Sequence, residues 1–336
     1  MDIKRLLYAF PPRITAAVIA LAISVCVTVA ANRIYVDVNT KSESRDQIPE
    51  NTGEGSENPA KDETENNQNA ALDYADAPGV GLAVASKSAL ILSVDDNTVL
   101  ACKNMFEKTQ MGQISVFMTA MLVSKAINDG NIGLNDEAVC PALAAQSPSY
   151  SLSSSILPIG KRMYIKDILK CMFYQNGSSY SYTLAVHVSG GADEFVEQMN
   201  RFAVELGLKN THFDNCAGDI GENSYTTAYD VALLVKHMLK DELLKEIICS
   251  NDVLDLSMGY SNSVMLAVKN DFFSTYATDH QAKNDGLLGG KVCSIGYAQN
   301  AVVIFSCEGK DYVCVMLDSS SAFSDALILY SAYVLS

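Results

Sequence analysis

The sequence predicts an α+β domain in which one antiparallel sheet is built from both ends of the chain and a mainly helical region fills the middle. Three observations predict it. Short β-rich runs around a turn open the ordered region near residue 80. Segments with apolar residues at helical spacing occupy about residues 105–245. Two apolar runs joined by Glu308-Gly309-Lys310-Asp311 then return the chain to strand.

The first 79 residues stand apart from that domain. Residues 1–13 carry Lys4, Arg5 and Arg13. ITAAVIALAISVCVTVAA, residues 14–31, follows as 18 residues without a charge, close to the length that crosses a bilayer as a helix. The basic flank predicts a cytoplasmic N-terminus and a membrane anchor with the remainder outside. Val29-Ala30-Ala31 leaves open a signal-peptide reading, in which cleavage releases a secreted form. Residues 32–79 are rich in Glu, Asp, Asn, Ser and Gly and predict a disordered acidic linker.

From residue 80 the elements follow in order. SALILSVDD and NTVLACKN read as a hairpin. A helix is predicted from about Ser115 to Asp129, where Asp129-Gly130 stops it. MYIKDILKCMFYQ, SYTLAVHVSG, ADEFVEQMNRFAVELGL and TAYDVALLVKHMLK all show helical spacing, with Gly190 and Gly207 as stops after the second and third. AVVIFSCEGKDYVCVML reads as a second hairpin and SDALILYSAYVL as a closing helix.

Bulk properties exclude some functions. A net charge of −15 leaves no basic footprint for nucleic acid. The eight cysteines beyond Cys26 sit mostly alone in apolar runs, which favours buried free thiols, although export would permit disulfides. No His/Cys cluster has metal-ligand spacing, and no cofactor is implied.

The stretch NTHFDNCAGDIGENSYTTAYDVALLVKHMLK, residues 210–240, resembles the N-T-x-F-x-N-x-x-G-L and Y-S-T-A-x-D pattern of the serine-type D-alanyl-D-alanine carboxypeptidases, the low-molecular-weight penicillin-binding proteins. ALILSVDDNTVLACKN, FMTAML and AINDGNIGLNDEAV are similar to that family's opening hairpin, first core helix and following turn. The resemblance covers about residues 80–336. It implies a β-lactamase/DD-peptidase-like fold, here without the C-terminal β-domain that some members carry. It also implies chemistry borne by three motifs, and all three are altered.

The first motif is S-x-x-K, in which a lysine three residues after the serine takes its proton as it attacks a carbonyl. Lined up on FMTA, those places hold Gln113 and Val116. The second, S-x-N, becomes Asn176-Gly177-Ser178, its polar ends exchanged. The third, K-T-G, becomes Leu288-Gly289-Gly290, so the cation that receives a substrate carboxylate is missing. Lys291 lies three residues beyond Leu288, and along a regular strand it points to the other face.

Three functions compete. The first is a non-catalytic, membrane-anchored homologue that binds peptidoglycan peptide or a wall-synthesis protein, with Ser178, Ser179 and Gly290 as candidate binding residues. The second is an active carboxypeptidase with an atypical site, using Ser178 or Ser179 as nucleophile. The third is a purely structural interaction domain whose cleft is filled.

Overall fold

The structure, a computed structural model, describes residues 84–149, 157–221, 223–256, 267–277 and 286–335. The expected anchor at 14–31 and linker at 32–79 lie outside the described residues. Among the described residues no helix is long and apolar enough to cross a membrane.

In chain order the elements are β1 (Ser88–Ser93), β2 (Thr98–Lys103), α1 (Val116–Asn128), β3 (Glu137–Val139), β4 (Arg162–Tyr164), α2 (Ile165–Tyr174), α3 (Ser178–Ser189), α4 (Ala192–Glu205), α5 (Ala228–Met238), α6 (Glu242–Cys249), β5 (Leu254–Asp255), β6 (Ala267–Val268), β7 (Leu287–Ile295), β8 (Ala298–Cys307), β9 (Lys310–Ser319) and α7 (Ala322–Tyr333). The main sheet has the order β2-β1-β9-β8-β7, and every neighbouring pair in it is antiparallel. The sheet built from both chain ends is therefore present: Leu90 of β1 faces Val315 of β9.

Strand alternation gives this sheet two apolar faces, and each has its own core. One face, with Leu90, Val302, Ile304, Val313 and Val315, packs against the helical region through Phe117, Phe173 and Leu184. The other, with Ile91, Val303, Phe305 and Met316, is covered by α7 and by Phe272 and Phe273. Asp325 of α7 fastens the entry of the domain to its exit. It accepts from the Ala85 and Ser86 amides at 3.1 and 2.8 Å and from the Ser86 and Ser319 hydroxyls at 2.6 and 2.7 Å.

The NTHFDN…TTAYD stretch folds as a hydrogen-bonded unit at the start of α5. Thr227 caps the helix by accepting from the Asp230 amide at 3.1 Å. Asp230 reaches back to the Asn210 amide at 2.7 Å and the Thr211 hydroxyl at 2.8 Å. The expected helix at MYIKDILKCMFYQ is corrected at its start: Arg162–Tyr164 pairs as β4 with β3, and the helix begins at Ile165.

Candidate functional site

The site is built where the entry to α1 meets β7. Asn300 of β8 pins the incoming chain, donating to the Gln110 and Met111 carbonyls at 2.8 and 3.1 Å. A 3-10 turn, Gly112–Ser115, then leads into α1. Gly112 is required here. Its φ is +55°, and a Cβ would come within 2.8 Å of the Ile295 side chain. Gly218 presses from the other side, where a Cβ would lie 2.0 Å from the Gly112 carbonyl oxygen. Cys293 sits beneath the turn. Burial raises its pKa, while Lys291 and the backbone N–H groups of Gln113, Ile114 and Asn300 pull the other way.

Gln113 and Asn176 both line a cavity of about 380 Å³, together with Gly112, Ser149, Asp219 and Cys293. The Asn176 amide donates to the Val292 carbonyl at 3.3 Å, which ties the start of α3 to β7. The side-chain oxygens of Gln113 and Asn176 are sealed from solvent and have no hydrogen-bond partner among the described residues. Val116 is buried in the helical core, so an aliphatic side chain fills that position.

Ser178 and Ser179 do not join the cavity. Both are fully buried. The Ser178 hydroxyl has no partner among the described residues, and the Ser179 hydroxyl accepts from the Leu157 amide at 3.2 Å. Neither has the exposure that a nucleophile needs, and among the described residues neither is hydrogen-bonded to a base.

The far end of β7 is occupied by packing contacts. Leu288 lies against the helical core. A Cβ on Gly289 would come within 2.4 Å of the Ile248 carbonyl, and one on Gly290 within 2.8 Å of the Phe272 ring. The C-terminus of α6 and Phe272 therefore stand against the strand at these positions.

The expectation that Lys291 faces away from Leu288 is corrected. Leu287 pairs with Phe305 and Gly289 with Ile304, so Leu288 is the extra residue of a bulge. A bulge interrupts alternation and brings residues three apart to one side. Both Leu288 and Lys291 thus face the helices. Lys291 is fully buried, and its ammonium donates to the Met172, Phe173 and Gln175 carbonyls at 3.1–3.2 Å. It caps the C-terminal end of α2, where free carbonyls favour a cation. Burial lowers its pKa to about 8, opposed by Cys293 and Asp271.

Asp219 is the residue that sequence reasoning missed. It accepts from the Ser147 hydroxyl at 2.9 Å and the Tyr182 hydroxyl at 3.5 Å, and also from the Ser149 hydroxyl. Burial, with Cys216 and Asp219 nearby, pushes the Tyr182 phenol up, so it stays a neutral donor. A signal was present, because Asp219 stands where the N-T-x-F-x-N-x-x-G-L pattern has leucine.

The chain matches known proteins as follows. The family model for D-alanyl-D-alanine carboxypeptidase, peptidase S11, matches residues 73–285. The D-alanyl-D-alanine carboxypeptidase DacF of Bacillus subtilis is 37% identical over 161 residues, 48% of this chain and 41% of the relative. DacC of Escherichia coli is 30% identical over 161 residues, 47% of this chain and 40% of the relative. The match thus spans about two-fifths of the length of these curated relatives. Among solved structures, penicillin binding protein 6B from Escherichia coli aligns with TM-score 0.65 at 20% identity, over 76% of this chain and 80% of that one. Penicillin binding protein 5 from Haemophilus influenzae aligns with TM-score 0.65 at 18% identity, over 75% and 72%. These two likenesses establish the fold.

Proposed function

Since the chain belongs to the D-alanyl-D-alanine carboxypeptidase family, we propose that it acts in cell-wall metabolism as a non-catalytic member that binds wall peptide. One observation carries this reading: the nucleophile and base positions are Gln113 and buried Val116. A side-chain amide does not attack a carbonyl, and an aliphatic group accepts no proton. Lys291, the cation nearest in sequence to the altered K-T-G, spends its three donors on the Met172, Phe173 and Gln175 carbonyls at the end of α2. Removing both nucleophile and base costs rate by factors on the order of 10⁶.

The open cavity beside Gln113 favours binding over a purely structural role, since a fully filled cleft would leave no such space. The burial of Ser178 and Ser179 weighs against an active enzyme with a relocated serine. The uncharged run at 14–31 supports anchoring with the domain outside the membrane. Fractionation with N-terminal sequencing tests the anchor, and a soluble form beginning near Asn32 would replace it with secretion. For the main reading, the full chain is treated with penicillin and analysed by intact mass, and release of D-alanine from a muramyl pentapeptide is assayed. Neither adduct nor release is expected. A stoichiometric adduct on any serine would make this a working enzyme.

A further inference from the structure

We propose that the cavity beside Gln113 is a sugar subsite: it takes a neutral saccharide ring of the wall glycan, stacked on Tyr297 at its mouth. This rests on the wall-peptide reading for the source of the ligand, because a wall peptide is carried on a glycan, and on the cavity's own chemistry for the ligand's class. Among the described residues the three most exposed large apolar side chains are Tyr297 at 99%, Val204 at 79% and Ile220 at 67%. Two of the three stand at this one mouth: Ile220 lines the cavity, and Tyr297 follows the lining residue Gly296. Exposed apolar groups gathered at a concave site mark a binding surface.

Their placement follows from the fold. Gly218 and the Ile295 side chain press on Gly112 from its two sides. Ile220 and Tyr297 lie two residues beyond these contacts, at most about 7 Å of chain each, so they flank the opening. Ile295 pairs with Ala298, which leaves Gly296-Tyr297 as a two-residue turn between β7 and β8. The ring is thus held out by a short hairpin rather than a long loop, and little order is lost when a ligand lies on it.

The polar groups within reach are of mixed sense. The Asp219 carboxylate accepts, the hydroxyl of exposed Ser294 both donates and accepts, and Gln113, whose oxygen is sealed, has its amide N–H groups to offer. A saccharide meets all three, since each of its hydroxyls is a donor and an acceptor. No lysine, arginine or histidine is among the described lining residues, so an anionic polymer finds no counter-charge. Pro148, Ile220 and Ile295 supply apolar wall. The C–H bonds on one face of a pyranose are slightly positive and suit the negative face of the Tyr297 ring. The volume of about 380 Å³ lies in the range of small-ligand sites.

The test titrates the full chain by calorimetry with a stem pentapeptide, and with the same peptide on its disaccharide of N-acetylglucosamine and N-acetylmuramic acid. The disaccharide form is expected to bind at least about ten-fold tighter. Tyr297→Ala is expected to erase that gain and Tyr297→Phe to keep it, since the ring and not its hydroxyl is what stacks. Equal affinities, or a gain unchanged in Tyr297→Ala, would overturn the inference and leave wall-peptide binding intact. If the bare peptide does not bind, the wall-peptide reading falls, and chitotriose, a neutral trimer of N-acetylglucosamine, decides by ligand-detected NMR. A chitotriose signal lost in Tyr297→Ala but kept in Val204→Ala, at an exposed residue that does not line the cavity, supports the subsite. No signal, or one equal in the two variants, overturns it.

Discussion

Lys291 shows how one residue can keep its charge and lose its availability. In the unfolded chain its ammonium titrates near 10.5, and in the fold near 8, because burial penalises the charged form. Below about pH 8 both states hold the proton. Between about 8 and 10.5 the unfolded chain binds more protons than the folded one, so this residue makes stability rise with pH across that window. The rise is expected to reach about 3 kcal/mol, since each pH unit of difference is worth about 1.4. Chemical denaturation from pH 7 to 10.5 on the wild type and Lys291→Met checks it, and the variant is expected to lose that increment. At the altered S-x-x-K, Gln113→Ser alone is expected to leave penicillin unreacted, because Val116 offers no base. Gln113→Ser with Val116→Lys is expected to acylate slowly by intact mass. It also loses about 2 kcal/mol or more of stability, since the lysine enters a site that is buried. Gln113, Val116 and Leu288 stand out in the sequence because the residues flanking them resemble the family pattern. At Asp219 the sequence shows only a departure from the pattern's leucine, and its role needs Ser147, Ser149 and Tyr182 brought to it by the fold.

At the level of elements, periodic segments were read well and irregular ones poorly. The opening and closing hairpins, α1, α3, α4, α5 and α7 carry strong period or turn chemistry. β4 was absorbed into the following helix because MYIKDIL has apolar spacing that suits both, and only pairing with β3 decides it. Gly289-Gly290 is an ambiguous signature of the β7 bulge, since glycine in a strand marks a bulge or a close backbone approach alike, and both occur here. Two substitutions test the elements that hold the site. Gly218→Ala places a methyl on the Gly112 carbonyl at a φ of +74°, so backbone must move. A loss of at least about 2 kcal/mol is expected, measured by urea unfolding. Thr227→Ala removes the α5 cap and is expected to cost about 1 kcal/mol with little change at the cavity.

The whole molecule depends on a sheet that joins the two ends of the domain, and Asp325 is where that joint is polar. Burial raises the Asp325 pKa, but the Ser86 and Ser319 hydroxyls and the Ala85 and Ser86 amides outweigh it, so the net shift is downward. A carboxyl lowered in the fold stabilises it above the usual carboxylate range near 3.8, and that contribution fades as pH falls through the folded value. Asp325→Asn is therefore expected to lower stability at pH 7 and to flatten the decline toward pH 3, read from thermal unfolding midpoints against pH.

The pairing of β1 with β9 has a further consequence in time. Ser88 waits for Leu317 as its partner, and the order β2-β1-β9-β8-β7 leaves β1 without its second sheet neighbour until β9 is made. A hairpin alone is marginal in water. The domain cannot close progressively from its N-terminus during synthesis. The β1–β9 pairing spans nearly the full length of the domain, and native pairings so far apart in sequence go with slow folding. A sheet whose central pairing waits for β9 stays incomplete, and its unpaired edge open to wrong partners, for as long as that strand is missing.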